Sequence, residues 1–204
     1  MGHVAGVVLA AGSATRLGGG KQLLPLAGRP LLAHVLDAAR RTPLDPLLVV
    51  LGAAADEVAR QVDLTGFAVV HNPAYLEGQS TSVRAAVAAL PGDVDAAVFL
   101  LGDQPEVDPA VIDRLVERFR VDGAPIVQPR YAEGRGNPVL FARRLFPELL
   151  ELRGDEGARP LLQRHADVAV FVDAGDLRRP DDVDTPEEYD RLRRRVEGAA
   201  ESHP

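Results

Sequence analysis

Apolar runs that alternate with helix-length amphipathic segments predict an α/β protein, with a mostly parallel mixed sheet and helices on both of its faces. Three observations carry this reading. Val4–Leu9 and Ala96–Leu101 contain no polar side chain, as expected of strands buried on both faces. The segments between such runs place apolar residues at helical spacing. The chain has 204 residues, 46% of them hydrophobic, which suffices for one full core. A single domain spanning 1–204 is expected, with a frayed tail from about Gly198.

The elements follow in order. Val4–Leu9 is a buried strand. Arg29–Arg41 places Leu31, Leu32, Val35, Leu36 and Ala39 on one helical face. Pro46–Leu51 is apolar, Asp56–Val62 helical and Phe67–Val70 a strand. Ser80–Leu90 reads as an alanine-rich helix capped by Ser80 or Ser82. After the strand Ala96–Leu101, Asp108 caps a helix with Pro109 at its first position and Ile112, Leu115, Val116 and Phe119 on its inner face. Pro125–Pro129 and Pro138–Phe141 read as strands around the polar loop RYAEGRGN. Arg143–Leu152 and Ala158–His165 read as short helices, and Val168–Val172 as a strand. In DTPEEY, Thr185 is an N-cap, Pro186 the first helical residue and Glu188 the other half of a capping box. There is no internal repeat and no linker.

Composition narrows the function. The chain has no cysteine, which excludes disulfides and thiolate metal sites and makes a cytoplasmic location the expectation. No apolar stretch reaches transmembrane length, no signal peptide is read at the N-terminus, and no membrane partner is expected. A net charge of −7 argues against nucleic acid as a partner. It leaves room for a small anion held by a few local cations.

Parallel sheets bind ligands beyond the carboxyl ends of their strands. The first strand ends there in LAAGSATRLGGGK. This is not a P-loop, since position 15 is Thr and position 22 is Gln, and not a dinucleotide fingerprint, since position 14 is Ala. The phosphate chemistry is present all the same. Ala10, Ala11 and Gly12 let a ligand approach the backbone, and glycine-rich turns expose N–H groups to anions. Arg16 offers a planar fork and Lys21 a compact point charge. Of the chain's 23 lysine and arginine residues, Lys21 is the one lysine. A flexible turn with incidental charge is the alternative, but a chain that otherwise uses arginine has no general reason for lysine here.

Two carboxylate positions follow. LLGDQP puts Asp103 at the end of a buried strand, where it either starts a turn before Pro105 or meets Mg²⁺ beside phosphates. RRPDDVDTPEE clusters Asp181, Asp182 and Asp184 before the capped helix. This is either a solvated loop or, if Asp184 converges with Asp103, part of a metal site.

Together LAAGSATRLGGGKQLLPLAGRPLL, LLGDQP, RGNPVLF, GDEGARPLL and DVDTPEEY resemble the MobA/MocA-like nucleotidyltransferases from about Val4 to Arg195. The resemblance is to the molybdenum cofactor guanylyl- and cytidylyltransferases. It implies a three-layer Rossmann-like fold of the GT-A-like nucleotide-diphospho-sugar transferase type. It places Leu9, Ala10, Ala11 and Gly12 along the nucleotide, Arg16 at the β- and γ-phosphates and Lys21 at the transferring phosphate. It puts Asp103 and Asp184 at Mg²⁺, and Ser80 and Ser82 beside base and ribose. Arg135, Asn137 and Arg159 face the second substrate. The reading Ala10-Ala11-Gly12, with Gln104 and the QPRY to GRGNPVLF block, resembles the cytidylyl branch; guanylyl members read L-A-G-G. Asn137 departs from the His which that branch often carries before the proline. The implied reaction transfers CMP from CTP to the phosphate of molybdopterin, with a molybdoenzyme or its chaperone as downstream partner.

Alternatives stay open at this point: GTP as donor, a sugar or alcohol phosphate as acceptor, or a carrier that binds without catalysis. The enzymes that make methylerythritol cytidyl diphosphate share the KQLLPLAGRPLL pattern but carry an H-D-A-A-R-P block that is absent here. His34 reads as packed or partly exposed within its helix. His71 either faces the nucleotide or steadies a loop. Arg135 meets an anion or is an ordinary loop residue, and Arg193–Arg195 reads as a solvated helix face.

Overall fold

The computed structural model describes residues 2–12, 20–52 and 54–201. Its strands are β1 (His3–Ala10), β2 (Pro25–Leu26), β3 (Arg29–Pro30), β4 (Leu47–Leu51), β5 (Phe67–His71), β6 (Val94–Leu101), β7 (Ile126–Tyr131), β8 (Gly134–Arg135), β9 (Val139–Ala142) and β10 (Ala169–Asp173). Its helices are α1 (Leu31–Arg40), α2 (Ala55–Gln61), α3 (Gln79–Ala89), α4 (Pro109–Asp122), α5 (Phe146–Leu150), α6 (Arg159–Arg164) and α7 (Pro186–Glu201).

An eight-stranded sheet runs β10-β7-β9-β6-β1-β4-β5, with β8 paired to β7 off this path. β1 pairs in parallel with β4 and β6, β4 with β5, and β7 with β10. β9 is the antiparallel strand between β6 and β7. β2 and β3 form a separate small hairpin. The central position of β1 follows from its sequence. Val4, Val8 and Ala10 pack on one face, while Ala5, Val7 and Ala11 pack on the other.

The two faces make two cores. On one side, α1, α2 and α4 bury Leu32, Leu36, Val58, Ile112 and Leu115. On the other, α3, α5 and α6 bury Val83, Phe146, Leu149 and Leu161. Each fully buried side chain of this size is worth about 1.5–3 kcal/mol relative to exposure. A third cluster joins Leu192 of α7 to Leu26, Leu31 and Val183. α7 is thereby tied to the start of α1 and to the segment that follows β10.

Most boundaries agree with the sequence reading, and the differences have local causes. The helix expected over Arg143–Leu152 divides into a 3-10 turn, Arg143–Leu145, and α5. Pro147, in the first turn of α5, has no N–H with which to continue a preceding helix. α3 is not capped by Ser80 or Ser82. Its N-cap is Gly78, with φ 110°. The helix's first N–H groups are taken by the loop before α6: Gln79 N donates to Asp155 Oδ1 (3.1 Å) and Ser80 N to Gly154 O (3.2 Å). Both serines therefore lie inside the helix, on its buried face. A Cβ at Gly78 would sit 2.5 Å from Gly154 O, so this crossing needs glycine both for its φ and for the close approach.

α7 runs to Glu201, so the chain stays helical past Gly198, where the sequence placed a frayed tail. Ahead of that point Tyr189, Leu192 and Val196 pack α7 on the third cluster. Arg195 is not part of a solvated face either: half-buried, it pairs with Glu106 and Asp181. Both expected caps are present. Asp108 accepts from Ala110 N at 2.8 Å. Thr185 and Glu188 exchange bonds, Glu188 N to Thr185 Oγ1 at 3.3 Å and Thr185 N to Glu188 Oε2 at 2.9 Å.

Asp108→Ala is expected to lower unfolding free energy by about 0.5–2 kcal/mol. The midpoint of a urea titration should move while its slope stays unchanged, because α4 loses a cap and the core loses no contact.

Candidate active site

The central strands end at one edge of the sheet, and a cleft of about 600 Å³ opens there. Its floor is the end of β1, Leu9 to Gly12, beside Leu101 and Gly102 after β6. Small residues make this floor possible. A Cβ at Gly102 would come 2.9 Å from Ala10 Cβ, and one at Gly52 would come 2.5 Å from Ala11 O. With glycine at both positions the backbones cross closely, and the edge of β1 stays open to a ligand.

Lys21 begins a 3-10 turn, Lys21–Leu23, that follows the glycine loop. Its Nζ donates to Asp103 Oδ2 at 2.6 Å and to Asp184 Oδ1 at 2.8 Å. The sequence placed Asp103 and Asp184 on one cation. They do converge on one point, and in this structure the cation there is the lysine ammonium. Burial pushes the Lys21 pKa down, but the charges and hydrogen bonds of Asp103 and Asp184 outweigh it and hold the pKa above the ordinary lysine value. The ammonium therefore stays charged throughout the neutral range.

Asp182 stands next to this pair and accepts from Gln104 Nε2 at 2.8 Å. Desolvation, then the Asp103 and Asp184 carboxylates, push its pKa up against the opposing effect of Gln104 and Lys21. Among the described residues no group of three or more His, Asp or Glu is arranged to hold a metal by itself. The donors at hand are a carboxylate pair.

Gln22, beside the lysine, is 3% exposed. Its Nε2 donates to Ala10 O (2.9 Å) and Gly12 O (3.0 Å). This ties the lysine turn to the end of β1. Its Oε1 is buried without a partner. Asn72, after β5, is also buried, and its Nδ2 donates to Thr81 Oγ1 (2.8 Å) and Ser82 Oγ (2.9 Å).

Leu9, Ala10, Ala11, Gly12, Lys21, Ser82, Asp103, Asn137, Arg159 and Asp184 all line the cleft. Arg16 lies outside the described residues. Ser80 is buried beneath the wall, not on it, and its Oγ has no partner. Arg135 is not on the lining. Its guanidinium lies over the Phe171 ring, 4.6 Å from the centroid. His71 is exposed and also outside the lining, and His34 meets Leu26 O at 2.9 Å within its helix packing. Sequence reasoning missed Gln22, Tyr75 and Gln79 as cleft residues, while Asp182 lay in the acidic cluster it singled out and Asp155 in the GDEGAR motif. Of these three, Gln22 had a signal, its place beside the lone lysine.

A glycine-rich strand end, a charged lysine and two converging aspartates at the carboxyl edge of a parallel sheet define an enzyme that handles phosphate groups, a nucleotidyltransferase. The chain belongs to the MobA-like NTP transferase domain family, whose model matches residues 6–168. It is 32% identical over 211 residues to purine catabolism protein PucB of Bacillus subtilis (strain 168), with 94% of this chain and 97% of that protein covered. It is equally 32% identical, over 197 residues, to nicotine blue oxidoreductase of Paenarthrobacter nicotinovorans, covering 93% and 96%. Among solved structures it is similar to the Rv0371c homologue from Mycobacterium sp. strain JC1, with TM-score 0.88, 40% identity and coverage of 96% and 98%. The manganese complex of Rv0371c from Mycobacterium tuberculosis H37Rv gives TM-score 0.81 and 36% identity, covering 95% and 100%. The fold is the GT-A-like, Rossmann-type fold of nucleotidyltransferases. No helix among the described residues is long and apolar enough to cross a membrane.

Gln22→Glu would set a carboxylate against the Ala10 and Gly12 carbonyls. We expect it to lower stability by about 1–3 kcal/mol, with Gln22→Met, which carries no repelling charge, falling between it and the parent in a thermal melt.

Proposed function

We propose that the enzyme transfers CMP from CTP to the terminal phosphate of molybdopterin, with Mg²⁺ and with release of pyrophosphate. The observation that carries the reading is the Lys21 ammonium held between Asp103 and Asp184 above the open end of β1. The A-A-G sequence at Ala10–Gly12 supports CTP, and the resemblance supports the acceptor.

The donor set fits a hard divalent cation. Lys21 takes one oxygen of each carboxylate, and the other oxygens, Asp103 Oδ1 and Asp184 Oδ2, would hold such an ion while leaving its remaining positions to water and phosphate, as Mg²⁺ prefers. The charge balance calls for such an ion. The described cleft lining carries Glu77, Asp103, Asp155, Asp182 and Asp184 against Lys21 and Arg159, and a triphosphate adds more negative charge. When bound there, Mg²⁺ would neutralise phosphate charge. The relative Rv0371c has a structure in complex with manganese, which supports a divalent ion of this class.

In the reaction, a phosphate oxygen of the acceptor attacks the α-phosphorus of CTP in line. The bond from that phosphorus to the bridging oxygen breaks, and pyrophosphate leaves with the electron pair. The chain's part is positioning and charge. Backbone from Leu9 to Gly12 lies along the nucleotide. Lys21, charged and with one N–H beyond its two aspartate bonds, meets the charge that builds on the α-phosphate. Arg16 takes the leaving pyrophosphate, and Ser82 flanks the nucleoside. Asn137 and Arg159 face the acceptor. Arg159 has no ion-pair partner among the described residues, so its fork is open to an anion. Arg135, over Phe171, is left out of this set.

The test is pyrophosphate release with Mg²⁺ and molybdopterin, comparing CTP, GTP, ATP and UTP. Release with CTP alone is expected. Release with GTP instead would move the enzyme to guanylyl transfer, and silence with all four would remove molybdopterin as acceptor. Lys21→Arg is expected to keep the parent circular dichroism spectrum and lose about 10²–10³ in kcat, the loss usual for one transition-state donor. Retention of full turnover would refute the role given to Lys21. Chelation by EDTA should abolish release, and added Mg²⁺ should restore it.

A further inference from the structure

Beyond the cleft, the β10–β7–β8 edge of the sheet carries a second charged feature that the reaction does not use. Arg130 on β7 and Arg135 on β8 are directly opposite in the antiparallel pair. Both reach over Phe171 of β10, at 4.8 and 4.6 Å from the ring centroid. Phe171 is half-buried and both arginines are exposed. Neither guanidinium has a carboxylate partner among the described residues. Asp173, at the end of β10, is turned to its own loop and accepts from Gly175 N at 2.9 Å. A third arginine adjoins them: Arg179 Nε lies 3.4 Å from where a Gly136 Cβ would stand, and it too has no ion pair.

This arrangement is unlike much of the surface around it. Arg29, Arg114, Arg164, Arg178 and Arg195 are all held by acids. In a chain of net charge −7, the platform is a local reversal of sign. An aromatic ring that fixes two guanidiniums pays their ordering cost in advance and leaves their N–H edges free for carboxylates. Arginine and aromatic residues are also the types that anchor protein interfaces.

We propose that Arg130, Arg135 and Phe171 form a docking platform for an acidic segment of a partner protein. Asn137, two residues from Arg135, lies on the cleft lining, while Arg130, Arg135 and Phe171 do not. The docking rests on surface geometry and charge alone.

The probe is a fluorescein-labelled deca-glutamate peptide, followed by anisotropy. Saturable binding is expected at low salt, with affinity falling about tenfold or more in Arg130→Glu/Arg135→Glu and markedly in Phe171→Ala. Arg120→Glu, an exposed arginine of α4 on the opposite face, should bind like the parent. Arg130→Glu alone should leave CTP affinity and pyrophosphate release unchanged. Absence of peptide binding, or equal loss in Arg120→Glu, overturns the proposal. So does displacement of the peptide by millimolar inorganic phosphate or CTP, which would make the platform a small-anion site. A concentration-dependent dimer in sedimentation, lost in Arg130→Glu, would assign the face to a second copy and also overturn it. Failure of pyrophosphate release with intact peptide binding would instead fault the reaction assigned above.

Discussion

One ammonium between two carboxylates holds the working end of this enzyme together. Lys21, Asp103 and Asp184 come from segments 82 and 163 residues apart in pairwise separation from the lysine. Their meeting fixes the exit of the glycine loop against the end of β6 and against the segment leading to α7. Neighbouring bonds lie along the same seam: Val183 N donates to Asp103 O at 3.2 Å, Gln104 to Asp182, and Arg195 to Glu106. The seam is expensive to dissolve. Removing the lysine would leave Asp103, 20% exposed at its side chain, facing other acids without a cation. An uncompensated carboxylate in such a place costs far more than the pair gains by forming.

The acidic seam also explains why the open edge of β1 must be built from glycine and alanine. Binding a polyanion beside so many carboxylates requires close backbone approach and N–H donors, because side-chain cations are few. Gly52 and Gly102 provide the approach by letting neighbouring loops touch the backbone of β1. Gln22 provides rigidity, since its amide takes two carbonyls of the strand end and so settles which backbone groups turn outward. Its orphaned Oε1 is the cost of that choice.

How much of this was legible in the sequence depends on how local the cause is. β1 and β6 were legible because strands buried on both faces have no polar residue to hide. Asp108 and Thr185 were legible as caps because a cap satisfies N–H groups two or three residues away. Lys21, Asp103 and Asp184 were readable as candidates, and the parallel topology allowed their convergence, but no spacing in the chain states that they touch. What could not be read were the bonds between distant loops. Gly78 caps α3 only because Asp155 and Gly154 arrive from 76 residues away to take the helix's first N–H groups. A serine at such a helix start looks like a cap until a remote loop occupies its place, and then it is a buried core hydroxyl. The setting of Arg135 was out of reach for the same reason. Its loop was correctly read as polar, but the ring that claims it belongs to β10, later in the chain.

The identity of the cation itself follows from this geometry. Arg195 shows what arginine does here: its Nε and Nη2 take the two oxygens of Glu106, and Nη2 also reaches Asp181. A planar fork grips a carboxylate through two donors in one plane. Between Asp103 and Asp184 the two oxygens approach a single atom, at 2.6 and 2.8 Å. A compact ammonium meets both from one position without the flat bulk of a guanidinium. An arginine-rich chain keeps its one lysine where two carboxylates from distant segments close on one point.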